Sequence, residues 1–229
     1  MRNDTHIFRR IVQKEGIMRK IYQFRWIWLF LILVTIVGIE LRILEGNVEA
    51  SVNLEEENID EFTVYMELID KLFSELQCFP VVKEKNVYPI SYENTWGAER
   101  TYGGNRTHEG CDLMASSNER GKYKVCSMTD GTVRQIGWLE HGGWRIGIES
   151  DSGVYYYYAH LDSYEKAFEE GERVVAGQIL GRMGDSGYGK EPGTKGQFDV
   201  HLHVGIYIKD ISGKERAINP YWYLKRLEI

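Results

Sequence analysis

The stretch "FDVHLHVGIYI", residues 198–208, decides how the rest of the chain is read. It has the composition of a β-strand. Side chains alternate faces along a strand, so His201 and His203 project from one face while Leu202 turns the other way, into a core. Two imidazoles side by side can both reach one metal ion, or one can ligate while its neighbour acts on what the metal carries. A His-x-His pair is a weak signal by itself, and the residues around it must supply the rest.

Outward from that strand, residues 87–218 are rich in Gly, Val, Ile and Tyr. They fall into short runs such as "SMTDGTVRQIGW", "GGWRIGIES", "GVYYYYAHL" and "GERVVAGQILGRMGDSG". Runs of this kind, bounded by Asp-Gly, Gly-Gly and Ser-Gly, predict consecutive strands and hairpins of a mainly antiparallel sheet or barrel. Residues 87–229 are therefore expected to be one mainly β domain, with "NPYWYLKRL" as a short closing helix. Upstream, Phe62, Tyr65, Met66, Ile69, Leu72, Phe73 and Leu76 recur at three- and four-residue spacing between Leu54 and Gln77. That spacing predicts an amphipathic helix, serving as a stalk or laid on the domain, within an acidic segment over 45–86. Pro80 and Pro89 mark the change of texture.

The 229 residues suffice for one well-buried domain with extra segments at its ends. The net charge of −6 conceals an asymmetry: residues 1–25 carry seven Lys/Arg against Asp4 and Glu15, which leaves the remainder strongly acidic. An acidic body argues against a nucleic-acid partner. After the basic tip comes "WIWLFLILVTIVGI", residues 26–39, and residues 26–44 are expected to form a single transmembrane anchor flanked by Trp26 and Trp28. The rival is a secretory signal segment cleaved after Ala50. Either reading exports the body, and basic residues before the span keep the N-terminus inside, at the cell membrane. Cys78, Cys111 and Cys126 are too few for a disulfide framework; Cys111 with Cys126 is the expected pair if one forms, and burial of all three is the alternative.

Two further clusters carry chemistry. In "GGNRTHEGCDL", His108 and Asp112 are four apart, which in a regular strand is about 13 Å, too far to share an ion. A bend or bulge at Gly110 would bring them together. With one distant histidine they make a three-ligand set that leaves a coordination position open, as catalytic zinc requires. Glu109 is the competing ligand, facing away from His108 if the strand is regular. In "YYYYAHL", His160 ends an aromatic run; alone it reads as a satisfied edge histidine. Four of the six histidines nevertheless fall in three strand-like segments, while His6 and His141 do not look like ligands.

Taken in order, His108-x-x-x-Asp112, "TDGTV" at 129–133, Tyr158-Ala-His160-Leu, "VVAGQILGRMGDSG" at 174–187 and His201-Leu-His203 resemble the lysostaphin-like (LytM-type) zinc endopeptidases of bacterial cell walls. The resemblance covers residues 102–208. It implies a central antiparallel β-sheet lining a groove, the duplicated hybrid motif of that family. It also implies one Zn2+ held by His108, Asp112 and His203, and His160 and His201 flanking the water that the metal activates, with their roles unassigned. Tyr102, six residues before His108, corresponds to a tyrosine that in some relatives stabilises the oxyanion, or else lines the groove. The implied substrate is the peptide stem or cross-bridge of peptidoglycan. The segment "YGKEPGTKGQFDV", residues 188–200, departs from the family in length and is expected to border the groove. A membrane-anchored scaffold or activator of wall hydrolases, working with envelope protein partners, is the rival; relatives of that kind usually lack at least one of the five residues present here. A zinc-dependent binding module is the third reading, and it has no need of His160.

Overall fold

The structure, a computed structural model, describes residues 48–85, 89–210 and 212–228. The chain divides into two units, residues 1–60 and 61–229. Helix α1 spans Val48–Glu75, six residues longer at its start than the periodicity marked. The anchor expected at residues 26–44 lies outside the described residues. Among the described residues no helix is long and apolar enough to cross a membrane.

Twelve strands follow: β1 (Ile90–Ser91), β2 (Glu99–Arg100), β3 (Arg106–Thr107), β4 (Cys111–Ala115), β5 (Lys124–Cys126), β6 (Gly131–Leu139), β7 (Gly143–Glu149), β8 (Tyr155–Tyr164), β9 (Arg173–Val174), β10 (Ile179–Met183), β11 (His201–Lys209) and β12 (Glu215–Ile218). Helix α2 (Tyr221–Leu227) ends the described chain. The main sheet runs β1-β4-β11-β8-β7-β6-β9, with β10 pairing β5 and β8, and β12 pairing β11; β2 and β3 form a separate ribbon. Every pairing is antiparallel, so the mainly β, antiparallel reading of the sequence stands.

Strand β11 lies inside the sheet, between β4 and β8, and its alternation sets two faces. Leu202, Val204 and Ile206 are fully buried on one; His201, His203 and Tyr207 line a groove on the other. Full burial of each of these aliphatic side chains contributes about 1.5–3 kcal/mol of transfer free energy. In β8, Tyr156 and Tyr158 join the same core. They are tolerated because their hydroxyls are satisfied, Tyr156 donating to Glu75 Oε1 at 2.6 Å and Tyr158 accepting from the Met128 amide at 2.9 Å. The Glu75 contact also ties α1 to the sheet. Of the side chains described in that helix Leu72 is buried, as is Leu76 just past its end, while Phe62, Tyr65, Met66 and Phe73, assigned to its apolar face by periodicity, are exposed.

All three cysteines are free thiols, so the expected Cys111–Cys126 bridge is not formed. Cys111 donates to the Glu93 carbonyl and Cys126 to the Phe79 carbonyl. The thiol that neighbours Cys126 is Cys78, whose pKa that contact lowers to about 7.

Candidate active site

The groove face of the sheet gathers residues far apart in sequence. In the β4–β11 register Asp112 sits directly opposite His203 and Met114 opposite His201, while β8 brings Ala159 against the other side of His203. His108 precedes β4. Its amide donates to the Ala98 carbonyl at 2.9 Å, and the chain bends at Gly110 before the strand begins. The bend does what the four-residue spacing required: His108 Nε2, Asp112 Oδ1 and His203 Nδ1 lie 3.0, 3.1 and 2.9 Å from one another. These residues form a group able to hold a metal ion. Tetrahedral zinc, with bonds of about 2.0–2.1 Å, separates its ligands by about 3.3 Å, so the donor set fits with only small outward shifts.

The surroundings prepare these atoms as ligands. His108 Nδ1 lies 3.1 Å from the Thr95 carbonyl, which can only accept; the proton therefore sits on Nδ1, and Nε2 keeps its lone pair. Arg100, brought alongside by the β2–β3 ribbon, donates Nη2 to Asp112 Oδ2 at 2.7 Å and leaves Oδ1 for an ion. Burial pushes the Asp112 pKa up, but its close contacts with His108 and His203 and the field of the nearby imidazoles hold it well below the usual carboxylate range. Gly110 has a second use besides the bend. A Cβ there would strike the His203 ring and come within 2.7 Å of the Val204 carbonyl. Gly110→Ala is accordingly expected to displace His203, weakening zinc binding at least ~10-fold and costing about 1–3 kcal/mol of stability, read by zinc titration and thermal melting.

His160 reaches the groove by a local irregularity. Between Trp144↔Leu161 and Ile146↔Tyr158 the β7–β8 register slips, so that Ala159 and His160 both oppose Arg145. His160 adopts φ 63°, a left-handed conformation uncommon outside glycine. In an unbroken strand it would share the core face with Tyr156 and Tyr158; the bulge turns it to the groove beside Ala159. Its Nδ1 donates to the Ser186 carbonyl at 2.8 Å, and that turn packs so closely on Gly143 that no side chain fits there. His201 is held likewise, Nδ1 donating to the Asp199 carbonyl at 2.7 Å. Its Nε2 stands 3.8 Å from Asp112 Oδ1. Burial first, and neighbouring imidazoles second, push the His160 pKa well below its ordinary value; burial also lowers that of His201 against the opposing pull of Asp112. Both rings are thus neutral at pH 7, each with Nε2 unprotonated.

The groove, of about 750 Å³, is closed on one side by the segment after Gly187. Tyr188 lines it, and Phe198 packs on His160 and His201 with ring centroids 4.6 and 5.0 Å away. The long connection thus borders the groove, as its length suggested. Tyr102 stacks flat on Tyr188 at 4.4 Å and meets His141 edge-on at 5.7 Å, so its ring buttresses the wall that faces His160. Glu109 is exposed and lines the groove outside the donor set. His141 also lines the groove, although its Gly-rich surroundings gave no hint of that. Arg100, Arg145, Ser186 and Phe198 carried no signal in the sequence, because each acts through a tertiary contact rather than a motif.

A sequence model described as "Peptidase family M23" matches residues 106–220, half of the chain. The chain belongs to peptidase family M23. Among curated M23-related proteins, the L-Ala--D-Glu endopeptidase of Bacillus subtilis (strain 168) is 44% identical over 138 residues, 60% of this chain and 40% of that protein. Lysostaphin of Staphylococcus simulans is 32% identical over 103 residues, 44% of this chain and 19% of that protein. A crystal structure from Ruminococcus gnavus ATCC 29149, assigned as a glycyl-glycine endopeptidase lytM, is 52% identical with a TM-score of 0.62 and covers 68% of this chain and 61% of that one. The chain thus spans well under half the length of these curated relatives. The M23 match begins at β3 and takes in His108, Asp112, His160, His201 and His203.

Proposed function

We propose that this M23 protein is a zinc-dependent endopeptidase that hydrolyses amide bonds in the peptide stems or cross-bridges of bacterial peptidoglycan. One observation carries the reading: three converging donors lie beside two neutral imidazoles with fixed tautomers in a single groove. His108, Asp112 and His203 would hold the ion. When bound, zinc supplies Lewis-acid polarisation of a carbonyl and activation of water at neutral pH. The chain's own residues do the rest. The groove aligns an extended peptide along the sheet face, and Phe198 and Tyr188 keep bulk water from the imidazoles. His160 and His201, their Nδ1 protons pinned by backbone carbonyls, present Nε2 to take the proton of the attacking water and return it to the departing amine. Tyr102 acts through Tyr188, as a wall of the groove. The presence of all five residues favours an enzyme over a scaffold, and His160, which ligation does not need, favours it over a binding module.

The names of the relatives point to two bond types, L-Ala–D-Glu and Gly–Gly, both in wall peptides. The apolar segment at residues 26–44 would anchor the body at the outer face of the cell membrane, beside that substrate. The test is to incubate the zinc-loaded full chain with peptidoglycans of several cross-link types, with and without a zinc chelator, and identify new amine termini by mass spectrometry. Chelator-sensitive termini are expected on at least one wall type; folded, zinc-loaded protein that releases none on any wall is not the enzyme described here.

A further inference from the structure

Three arginines line the groove, and they differ in how they are paired. Arg100 is bound to the Asp112 carboxylate. Arg106 donates to the Tyr102 carbonyl at 3.2 Å and to the Tyr188 hydroxyl at 3.1 Å. Arg145 has neither arrangement: its Nη1 is buried with no hydrogen-bond partner, and it makes no ion pair among the described residues. A guanidinium stays charged at any accessible pH, and burying part of it unpaired is costly unless a ligand supplies the anion.

Its placement is as informative as its lack of a partner. Arg145 faces the bulge formed by Ala159 and His160, and Ala159 pairs with His203, which in turn pairs with Asp112. Arg145 is therefore on the same cross-strand row as the donor set, two strands from His203, a separation of about 10 Å between backbones. On its other side it pairs with Gly137, where nothing stands over the backbone within 4 Å. Glycine on one flank and alanine on the other leave a recess in the groove floor. Of the three carboxylates that line the groove, Glu215 pairs with Arg134 and Asp112 with Arg100, and Glu109 makes no ion pair with Arg145.

We propose that Arg145 is the carboxylate-recognising residue of this groove, binding a free carboxylate of the peptide substrate on the residue next to the scissile amide. The proposal rests on the peptidase reading above and narrows it to acidic peptides. Planar, bidentate pairing with a carboxylate is what a guanidinium does best, and an uncharged carboxamide of the same shape forfeits most of it. Glycyl–glycine cross-bridges, which carry no such group, become poor substrates.

The test uses an Ala–Glu peptide whose free carboxylate flanks the scissile amide, and the same peptide with that carboxylate converted to a carboxamide. Non-hydrolysable methyleneamino versions of both are titrated calorimetrically into zinc-loaded full chain, and the cleavable versions are assayed in parallel. The carboxylate form is expected to bind about 10- to 100-fold more tightly than the carboxamide. Arg145→Gln should bring that ratio to within about threefold, and Arg145→Lys should keep part of it. Because Arg145→Gln removes an unpaired, partly buried charge, its melting temperature should be unchanged or higher, the reverse of what a structural arginine would show. Equal affinity of wild type for the two peptides, binding of neither, or a preference that survives Arg145→Gln overturns the proposal. Preferential binding without cleavage would instead sink the peptidase reading and leave the role of Arg145 standing.

Discussion

Replacing Asp112 by alanine is expected to weaken zinc binding on the order of 10³-fold and to abolish the rise in melting temperature expected when zinc binds the wild-type protein. The size follows from the donor count. Zinc sites built from protein side chains bind with about 10–16 kcal/mol, so one donor of a small set carries roughly 3–5 kcal/mol. Stabilisation by a ligand scales with the logarithm of its concentration over its dissociation constant, and a 10³-fold weaker site loses about 4 kcal/mol of it at fixed zinc. Arg100 compounds the loss. Its guanidinium now pairs with Asp112 Oδ2 and would stand uncompensated beside an incoming cation. Asp112→Asn tests the same point with less change of shape: the carboxamide keeps an oxygen but loses the charge that His108 and His203 share. Competition with a chelator of known affinity measures the binding, and thermal melting with and without zinc measures the linkage. Affinity within threefold of wild type in Asp112→Ala would remove Asp112 from the donor set.

Much of this site was legible because strand geometry is regular. The two-residue spacing of His201 and His203 put both on one face, and β11 then pairs His203 with Asp112 as a direct cross-strand neighbour. Gly110 marked the bend that shortens the span from His108 to Asp112. His160 shows where that logic stops. Period-two counting from Tyr156 and Tyr158 assigns it to the core, and only the slipped register opposite Arg145 turns it to the groove. A bulge of this kind has no fixed signature when the left-handed residue is histidine and not glycine. Contacts made by one residue from a distant segment were likewise invisible, Arg100 on Asp112 and Phe198 on His160 among them. In α1 the pattern overstated burial, since helical spacing records which side chains share a stripe and says nothing about where the sheet beneath them ends. Leu72 and Leu76 are buried in the core, whereas Phe62 is exposed.

His160→Asn is expected to lower turnover by about 10²- to 10⁴-fold while shifting zinc affinity less than threefold. Asparagine suits the test because, like histidine, it tolerates a left-handed backbone, so the φ 63° bulge that holds the loop at Ser186 is retained. Its short side chain cannot place an acceptor where imidazole Nε2 stands. The two readouts separate because His160 contributes no atom to the donor set, and its ring meets His201 at a centroid distance of 4.6 Å and His203 at 6.0 Å without bonding either. Burial holds the ring neutral, so what is removed is a base ready at neutral pH, one that the desolvated pocket also makes quick to give the proton back. Steady-state kinetics on a wall peptide, zinc titration and a melting curve together decide the matter. Turnover near wild type would move the proton-transfer role to His201 alone. A parallel collapse of zinc binding would mean that His160 supports the metal site and does not act on the substrate.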